Sequence, residues 1–240
     1  MEGYNGTQKS YYNDSKWELY CDSLIEICPN IAIAYQQKAL PYIKNGDYAT
    51  AFPLENKAVE LDAQNYTAYR GFLKCIFTKD YEGAIVDFKR AQHLNPNGFK
   101  MDHTYFFYEG LCNLELKNYE EAKENFKRDT LVQQSATPGE NLHFNTLLYI
   151  GILYYEMKDN YNAKKYLLRC LKQYKELPEG NYYLALLYKN ENNSEDYHKY
   201  LQIAKRALNT GYSMNEDNTY YAYYPHQITL YEIENELAKK

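Results

Sequence analysis

Histidine is the residue type in this sequence with the most versatile chemistry, because its ring nitrogens bind metals and transfer protons near neutral pH. A metal site would need a close spacing, such as two histidines separated by three residues. The five histidines are instead far apart, at His93, His103, His143, His198 and His226. Asp102 and His103 are adjacent, but neighbouring side chains point in different directions. We therefore predict no metal site, and we expect Asp102 and His103 to be a solvated loop pair.

The cysteines show neither the close pairs of a zinc site nor an even disulfide framework. They are Cys21, Cys28, Cys75, Cys112 and Cys170. On one helix, Cys21 and Cys28 would lie about 10.5 Å apart along the axis, too far to bridge. We expect free, mostly buried thiols.

Other catalytic signatures, namely a glycine-rich phosphate loop, a nucleophile elbow and a reactive-cysteine motif, are also missing from the sequence. We therefore predict a protein that is not an enzyme and has no cofactor. An enzyme assembled from residues distant in sequence stays open, as does an accessory subunit that binds a small ligand.

Charge and composition narrow the classes of partner. The chain has 240 residues and a formal net charge of -5, with 27 Lys and Arg against 32 Asp and Glu. The basic residues are spread along the chain, which disfavours nucleic-acid binding through a basic stripe. There are 30 tyrosines, a residue that suits half-buried surfaces because its ring is apolar and its hydroxyl polar.

The sequence leaves the cellular location open. It contains no run of eighteen apolar residues, so we predict no membrane-spanning helix. The first residues have no basic segment followed by an apolar one, and so they are no intact secretory signal. The protein is either cytoplasmic, or a periplasmic or envelope protein from which a signal was removed; in the second case the full-length form could carry a lipid tether.

A recurring phrase organises the chain. "NGDYATAF" at Asn45–Phe52 returns as "TKDYEGAIVDF", "LKNYEEAKENF" and "KDNYNAKKYL". Its small residue falls at spacings of 33, 38 and 41, at Ala51, Ala84, Ala122 and Ala163. An apolar stretch of helical periodicity lies before and after each one. This pattern predicts stacked units of helix, tight turn and helix, in which the phrase is a structural joint.

These residues resemble the tetratricopeptide repeat. The first unit supplies Tyr35, Ala39, Tyr42, Tyr48, Ala51 and Ala58, and the second Tyr81, Ala84, Phe88, Ala91 and Pro96. The third supplies Phe106, Gly110, Tyr119, Ala122 and Phe126, with Asp129 where a small residue is usual, and the fourth Gly151, Tyr154, Ala163, Leu167 and Cys170. A degenerate fifth unit runs through Leu184, Ala185, Tyr188, Tyr197, Leu201 and Ala204.

The resemblance implies an all-α fold, a right-handed α-solenoid of about five such units with an extra N-terminal helix and a C-terminal capping helix. We expect a polar segment at 1–15, one repeat array at 16–208 and a capping region at 209–240. Two insertions, at Gly98–Asp102 and Thr137–His143, should be loops between units.

Three prolines affect the helix boundaries. Pro41 and Pro53 lie inside predicted helices of the first unit, where we expect a kink or a helix start shifted toward Pro53. The capping helix should begin at Pro225 and place Leu230, Ile233 and Leu237 on its apolar face. The segment "TYYAYY" before it should pack on the last repeat.

In the family, first helices line a concave groove that receives a peptide. The residues that would bind it here are Tyr66, Tyr69, Leu73, Phe107, Leu111, Asn145, Leu148, Ile152, Tyr155 and Tyr182. The Lys, Asn and Arg set with which some members hold a carboxylate terminus is not reproduced. The resemblance therefore implies a scaffold for a protein or peptide segment with apolar or aromatic character. The alternative is a lipoprotein that assists outer-membrane or envelope assembly.

Overall fold

The computed structural model describes residues 15–139, 141–212, 214 and 223–239. Within these ranges the structure is α-helical except for two strands of two residues each. The described residues form two compact units: unit 1 is residues 15–108, and unit 2 comprises the described residues from 109 to 239. The all-α prediction is confirmed, whereas the polar segment before residue 15 and Thr219–Ala222 of "TYYAYY" lie outside the described residues.

Unit 1 begins with helix α1 at Ser15–Ile27, and its helix pairs follow. The first pair is α2 at Ala32–Lys44 and α3 at Tyr48–Leu61. The second is α4 at Ala63–Leu73, extended by a π-helical turn at Lys74–Thr78, and α5 at Tyr81–Leu94. Strands β1 at Phe99–Lys100 and β2 at His103–Thr104 pair antiparallel before helix α6, Tyr105–Glu115.

The boundary between the units falls within α6, so that unit 2 begins in its last two turns. Helix α7 spans Tyr119–Ala136, α8 spans Phe144–Glu156 and α9 spans Asn160–Gln173. Helix α10 spans Pro178–Asn190, α11 spans Ser194–Asn209 and α12 spans Leu230–Ala238. In each pair, the helix before the joint is called the first helix and the one after it the second.

The recurring phrase is a joint, as predicted. The residue before each N-cap has a left-handed backbone, with φ between 57° and 76°, at Gly46, Lys79, Lys117, Lys158 and Asn192. Asp47, Asp80, Asp159 and Asn193 then cap the second helix by accepting a hydrogen bond from its backbone. A left-handed residue ends one helix and an Asp or Asn side chain starts the next.

Beyond the joint, the two helices of a pair approach closely at small residues. Ala51, Ala84, Ala122 and Ala163 are all completely buried. On the facing first helices of unit 2, a Cβ added at Gly110 would lie 2.8 Å from the Phe126 ring, and one added at Gly151 would lie 2.8 Å from Leu167. The second helix therefore contacts the first through a ring or leucine that only a very small residue can accommodate.

Four local predictions about the helices and the insertions can be compared with the structure. Helix α3 begins at Tyr48 and runs through Pro53, so the predicted shift of its start is wrong; Asp47 caps it and fixes the earlier start. The kink stays a prediction.

The insertion at Gly98–Asp102 is a short β-hairpin rather than a loop. His103 is buried against the Phe107 ring at 3.9 Å between centroids, so the prediction of a solvated pair with Asp102 is also wrong. The free thiols are confirmed.

The capping helix α12 begins later than predicted. Pro225 and His226 form a turn, and His226 has φ 58°, which does not continue a helix. The helix begins after Thr229, whose hydroxyl and the Glu232 carboxylate form a capping box. The apolar face is as predicted in its centre: Ile228 and Ile233 pack on buried residues of α10 and α11, with Leu237 alongside.

Glu55 is the most unusual core residue of unit 1. It lies four residues after Ala51, where the later units place Phe88, Phe126, Leu167 and Leu201 after their own anchors. It is completely buried, and neither carboxyl oxygen has a hydrogen-bond partner among the described residues. Burial raises its pKa to about 8, although the charges of Arg70 and Lys100 oppose the shift.

Asp129 is a buried carboxylate of unit 2 that has hydrogen-bond partners. It is completely buried and accepts a hydrogen bond from the Thr146 hydroxyl at 2.7 Å and from the Gln133 amide at 2.9 Å. Gln133 also accepts from the His143 backbone at 2.8 Å. These bonds join α7, α8 and the insertion that connects them.

We expect replacement of Glu55 to remove a pH-dependent loss of stability. Below pH 4.5 its carboxyl is protonated whether the chain is folded or unfolded. Between there and about pH 8 only the unfolded chain releases the proton, so the free energy of unfolding falls by about 1.4 kcal/mol per pH unit. In urea unfolding, the free energy of unfolding of Glu55→Leu should be about 2 to 4 kcal/mol higher than that of the wild type at pH 8. The difference should be much smaller at pH 5.

The matched control is Glu60→Leu, which changes an exposed glutamate of the same helix. It should leave the pH dependence of the wild type unchanged. The prediction fails if the difference in free energy of unfolding between Glu55→Leu and the wild type is the same at pH 8 as at pH 5. That result would show that Glu55 is ionised in the folded chain.

Asp129→Ala should destabilise the chain, even though it restores the small residue that Ala58 and Ala91 place at this position. The loss of two hydrogen bonds leaves Thr146 and Gln133 without their buried acceptor, at a cost of about 1 to 3 kcal/mol in urea unfolding. Glu124→Ala, at an exposed position of the same helix, should change stability by less than about 0.5 kcal/mol. A stabilised Asp129→Ala protein would contradict this interpretation.

Candidate functional site

The predicted peptide-binding residues fall into two groups by exposure. Leu73, Phe107, Leu111, Leu148 and Ile152 are each at most 1% exposed, and Asn145 is 7% exposed. Tyr66, Tyr69, Tyr155 and Tyr182 are half-buried and keep accessible surface. The aliphatic residues and Phe107 therefore belong to the packed interior. The accessible part of the set consists of four tyrosines, two in each unit.

In unit 1, Tyr69 lies beside a group of charged side chains. Its ring stacks with Phe72 at 6.3 Å between centroids, and the Lys100 ammonium lies 5.5 Å from the ring centroid. One turn further along α4, Lys74 reaches the buried Asp87 carboxylate at 2.8 Å. Arg70 donates two hydrogen bonds to the same carboxylate, of 2.9 and 2.5 Å. The arrangement fixes the orientation of the helix that carries both Tyr66 and Tyr69.

In unit 2, the first helices already hold a polypeptide, which is the segment 223–229 of the same chain. The Tyr149 hydroxyl of α8 donates to the Pro225 carbonyl at 2.7 Å, and this bond is buried. The Ile228 amide donates to the Glu179 carboxylate of α10 at 3.3 Å. Both bonds are made to the main chain of the segment, so they depend little on its side chains.

His226 is the main side-chain anchor of this segment. Its Nε2 lies 2.9 Å from the Glu115 carboxylate of α6, and its Nδ1 lies 2.6 Å from the Tyr183 hydroxyl of α10. Because a carboxylate only accepts, Nε2 is the donor to Glu115, and the Tyr183 hydroxyl is placed to donate to Nδ1. One imidazole thus ties the segment to two first helices.

A Glu, His and Tyr chain could in principle activate the phenol as a nucleophile or base. Here, however, Tyr183 is 7% exposed, and burial raises its pKa well above its usual value of 10. The phenol therefore stays protonated at neutral pH and serves as a hydrogen-bond donor. The arrangement positions the segment rather than providing a reactive group.

Glu179 adapts to the segment in a similar way. It is 1% exposed, and burial raises its pKa to about 7, while hydrogen bonds from its own amide and from the Ile228 amide oppose the shift. One carboxyl oxygen accepts from Ile228, and the other has no partner among the described residues. The raised pKa favours the neutral carboxyl, which costs less to bury than the carboxylate.

Sequence reasoning missed this docking because it started the capping helix at Pro225. A signal was present in "TLYE", since Thr229 followed three residues later by Glu232 is a capping box. That motif places 223–229 outside any helix, as a non-helical segment that can lie across other helices. Its contacts with Tyr149, Glu179 and Glu115 are separated by many residues in sequence, and no local pattern specifies them.

The described residues contain neither a metal-binding cluster nor a helix that could span a membrane. Within the ranges given above, no three His, Cys, Asp or Glu side chains are grouped so that they could hold a metal ion. Likewise, no described helix has both the length and the apolar character needed to cross a membrane.

Comparison with known proteins agrees with the repeat geometry. A family model described as a tetratricopeptide repeat matches residues 145–176, which comprise nearly all of α8, α9 and the joint between them. No curated protein sequence matches the chain. The remaining similarity is to solved structures, at low sequence identity.

Three solved structures illustrate that similarity. PilW, described as a widely conserved type IV pilus biogenesis factor, is 13% identical with a TM-score of 0.67, over 89% of this chain and 92% of its own. PilF of Pseudomonas aeruginosa is 20% identical with a TM-score of 0.63, over 85% and 88%. YrrB, described as a TPR protein with an unusual peptide-binding site, is 17% identical with a TM-score of 0.56, over 78% and 91%.

These matches agree with the joints, the small residues at the helix contacts and the paired helices described above. The repeat model identifies one unit from its sequence, and the solved structures share the fold of the rest. The chain therefore carries one sequence match to the tetratricopeptide repeat, at residues 145–176, and has the helical-repeat fold of these solved structures.

Proposed function

We propose that this protein is a non-catalytic scaffold that binds a polypeptide segment of a protein partner on the surface formed by its first helices. The observation that supports this most is the docking of residues 223–229 on α6, α8 and α10 in unit 2. There, side chains of the first helices bind a non-helical piece of chain by its main chain. A surface that orders one polypeptide in this way has the chemistry to order another.

The four accessible tyrosines are the residues we assign to the partner. A tyrosine combines a large apolar ring with a hydroxyl that donates or accepts, and it loses little conformational entropy on binding. Burial raises the pKa of Tyr155 above its usual value and that of Tyr182 to about 12. Both therefore stay neutral and can only recognise a partner by ring contact and hydrogen bonding.

Unit 1 offers a pair of tyrosines on one helix to a partner from outside the chain. Tyr66 and Tyr69 are half-buried on α4, and the Lys100 ammonium lies near the second ring. A partner segment with an aromatic or aliphatic side chain could pack on these rings. The peptide-binding site ascribed to YrrB is a precedent for such binding within this fold.

The experiment is quantitative affinity capture from cells of the source organism, followed by mass spectrometry. We expect the wild type to capture a defined set of proteins. The double variant Tyr66→Ala/Tyr69→Ala should capture about one tenth or less of the amount of each protein, since interface tyrosines often contribute more than about 1.4 kcal/mol to binding. Phe107 is unsuitable for this test because it is completely buried, and its removal would disturb folding.

The matched control is Tyr161→Ala/Tyr231→Ala, which removes two tyrosines that are 79% and 70% exposed on other helices. It should capture the same proteins as the wild type, and circular dichroism should show equal helix content in all three. Capture that is unchanged in Tyr66→Ala/Tyr69→Ala, or equally reduced in the control, would exclude this surface of unit 1 as the binding site.

A further inference from the structure

A cavity of about 610 Å³ lies in unit 2 among the second helices α9 and α11 and the start of α10. It is distinct from the first-helix surface that holds residues 223–229. Its walls carry five basic side chains: Lys165, Arg169, Lys172, Lys175 and Lys199. Its floor is apolar and includes Leu168, Leu171 and Ile203. A volume of this size is within the range of about 300–1,000 Å³ of ligand sites.

The basic side chains of this cavity are largely unneutralised. Lys199 pairs with Asp196 at 3.3 Å. Across the described ranges, the other four have no carboxylate within ion-pair distance, and no acidic residue lines the cavity. Like charges held together repel each other, so an anionic ligand would lower the electrostatic energy of this region. The rest of the chain has the opposite balance, since the formal net charge is -5.

A second, smaller cavity continues the same surface. It has a volume of about 290 Å³ and is lined by Asn141, Leu142, Leu147 and Gln173, together with Arg169 and Lys172 of the first cavity. Arg169 and Lys172 thus separate two adjoining depressions. An extended ligand that crosses between them would pass both cations.

The apolar residues of the larger cavity favour a peptide over a simple anion. Leu168, Leu171 and Ile203 line it beside the basic side chains. An apolar side chain of a peptide can cover these residues, whereas a phosphate ion cannot. Asn181 also lines the cavity and is 1% exposed. Its amide nitrogen donates to the carbonyls of Lys175 and Leu177 at 3.0 and 2.8 Å, which holds the start of α10 in place beside the cavity.

We propose that this basic cavity binds an acidic peptide segment of a protein partner. Carboxylates of the segment pair with Arg169 and Lys172, and its apolar side chains pack on Leu168, Leu171 and Ile203. A nucleic acid is disfavoured, because its continuous phosphate charge would extend beyond the cavity onto a chain with a net negative charge. The protein then has a second surface for partners, independent of the first-helix surface.

The test is fluorescence anisotropy with the full chain and a short fluorescein-labelled peptide in which glutamate alternates with leucine. We expect saturable binding that weakens steeply with added salt. A peptide with glutamine in place of glutamate should bind at least about tenfold more weakly, and so should the variant Arg169→Glu/Lys172→Glu with the original peptide.

The matched control is Lys89→Glu/Arg90→Glu, which makes the same change of charge at two exposed residues of α5 in unit 1. It should bind the acidic peptide within about twofold of the wild type. The milder variant Arg169→Gln/Lys172→Gln should weaken binding in the same direction, and it serves if the glutamate variant has reduced helix content by circular dichroism.

Three results would overturn the proposal. The first is no saturable binding of the glutamate peptide at low salt. The second is an equal loss in the control variant, which would indicate attraction by charge alone. The third is displacement of the peptide by an oligothymidylate of the same length that binds more tightly, which would indicate a nucleic-acid site.

Discussion

The close approach of two helices at a small residue is the contact on which the rest of this structure depends. Gly110 and Gly151 leave no room for a Cβ, because Phe126 and Leu167 of the facing helices occupy that space. The completely buried Ala122 and Ala163 lie one turn before those side chains on the second helices. A helix pair held this tightly has few alternative packings, so the joint and the capping residues can be short. In unit 2, the first helices α8 and α10 also contact each other.

Two carboxylates show what happens when a buried position of a second helix is given a polar residue: Glu55 lies four residues after Ala51, and Asp129 lies seven residues after Ala122. Asp129 finds two donors, Thr146 and Gln133, and becomes the link between α7 and α8. Glu55 finds none among the described residues and keeps its proton to about pH 8. The same class of substitution therefore stabilises one repeat and makes the other sensitive to pH. The difference lies in the neighbours, since both side chains are completely buried.

The features that could be predicted from the sequence are those set by local chemistry. The small residues at Ala51 and Ala84, the capping side chains at Asp47 and Asp80, and the helical periodicity around them are all readable along the chain. Features that need distant residues could not be predicted. Lys199 lies thirty residues after Arg169 yet lines the same cavity, and no local pattern indicates that they share it.

The candidate site shows the same limit. The periodicity located the first helices correctly, but it could not separate Leu148, which is completely buried, from Tyr155, which is half-buried. Nor could it reveal that Tyr149, one residue further along, binds the Pro225 carbonyl of a segment that follows the last repeat. That segment is held by Tyr149, Glu179 and Tyr183, which belong to the first helices but not to the residues predicted to bind a peptide.

The central claim is that the first helices of unit 2 bind polypeptide, with residues 223–229 as the occupant present in this chain. Hydrogen–deuterium exchange of the wild-type protein, followed by mass spectrometry, tests this most directly. The account predicts that fragments covering 223–229 exchange slowly, on a timescale comparable to fragments of α10. Exchange of 223–229 at the rate of an unprotected peptide, while α8 and α10 remain protected, would contradict it.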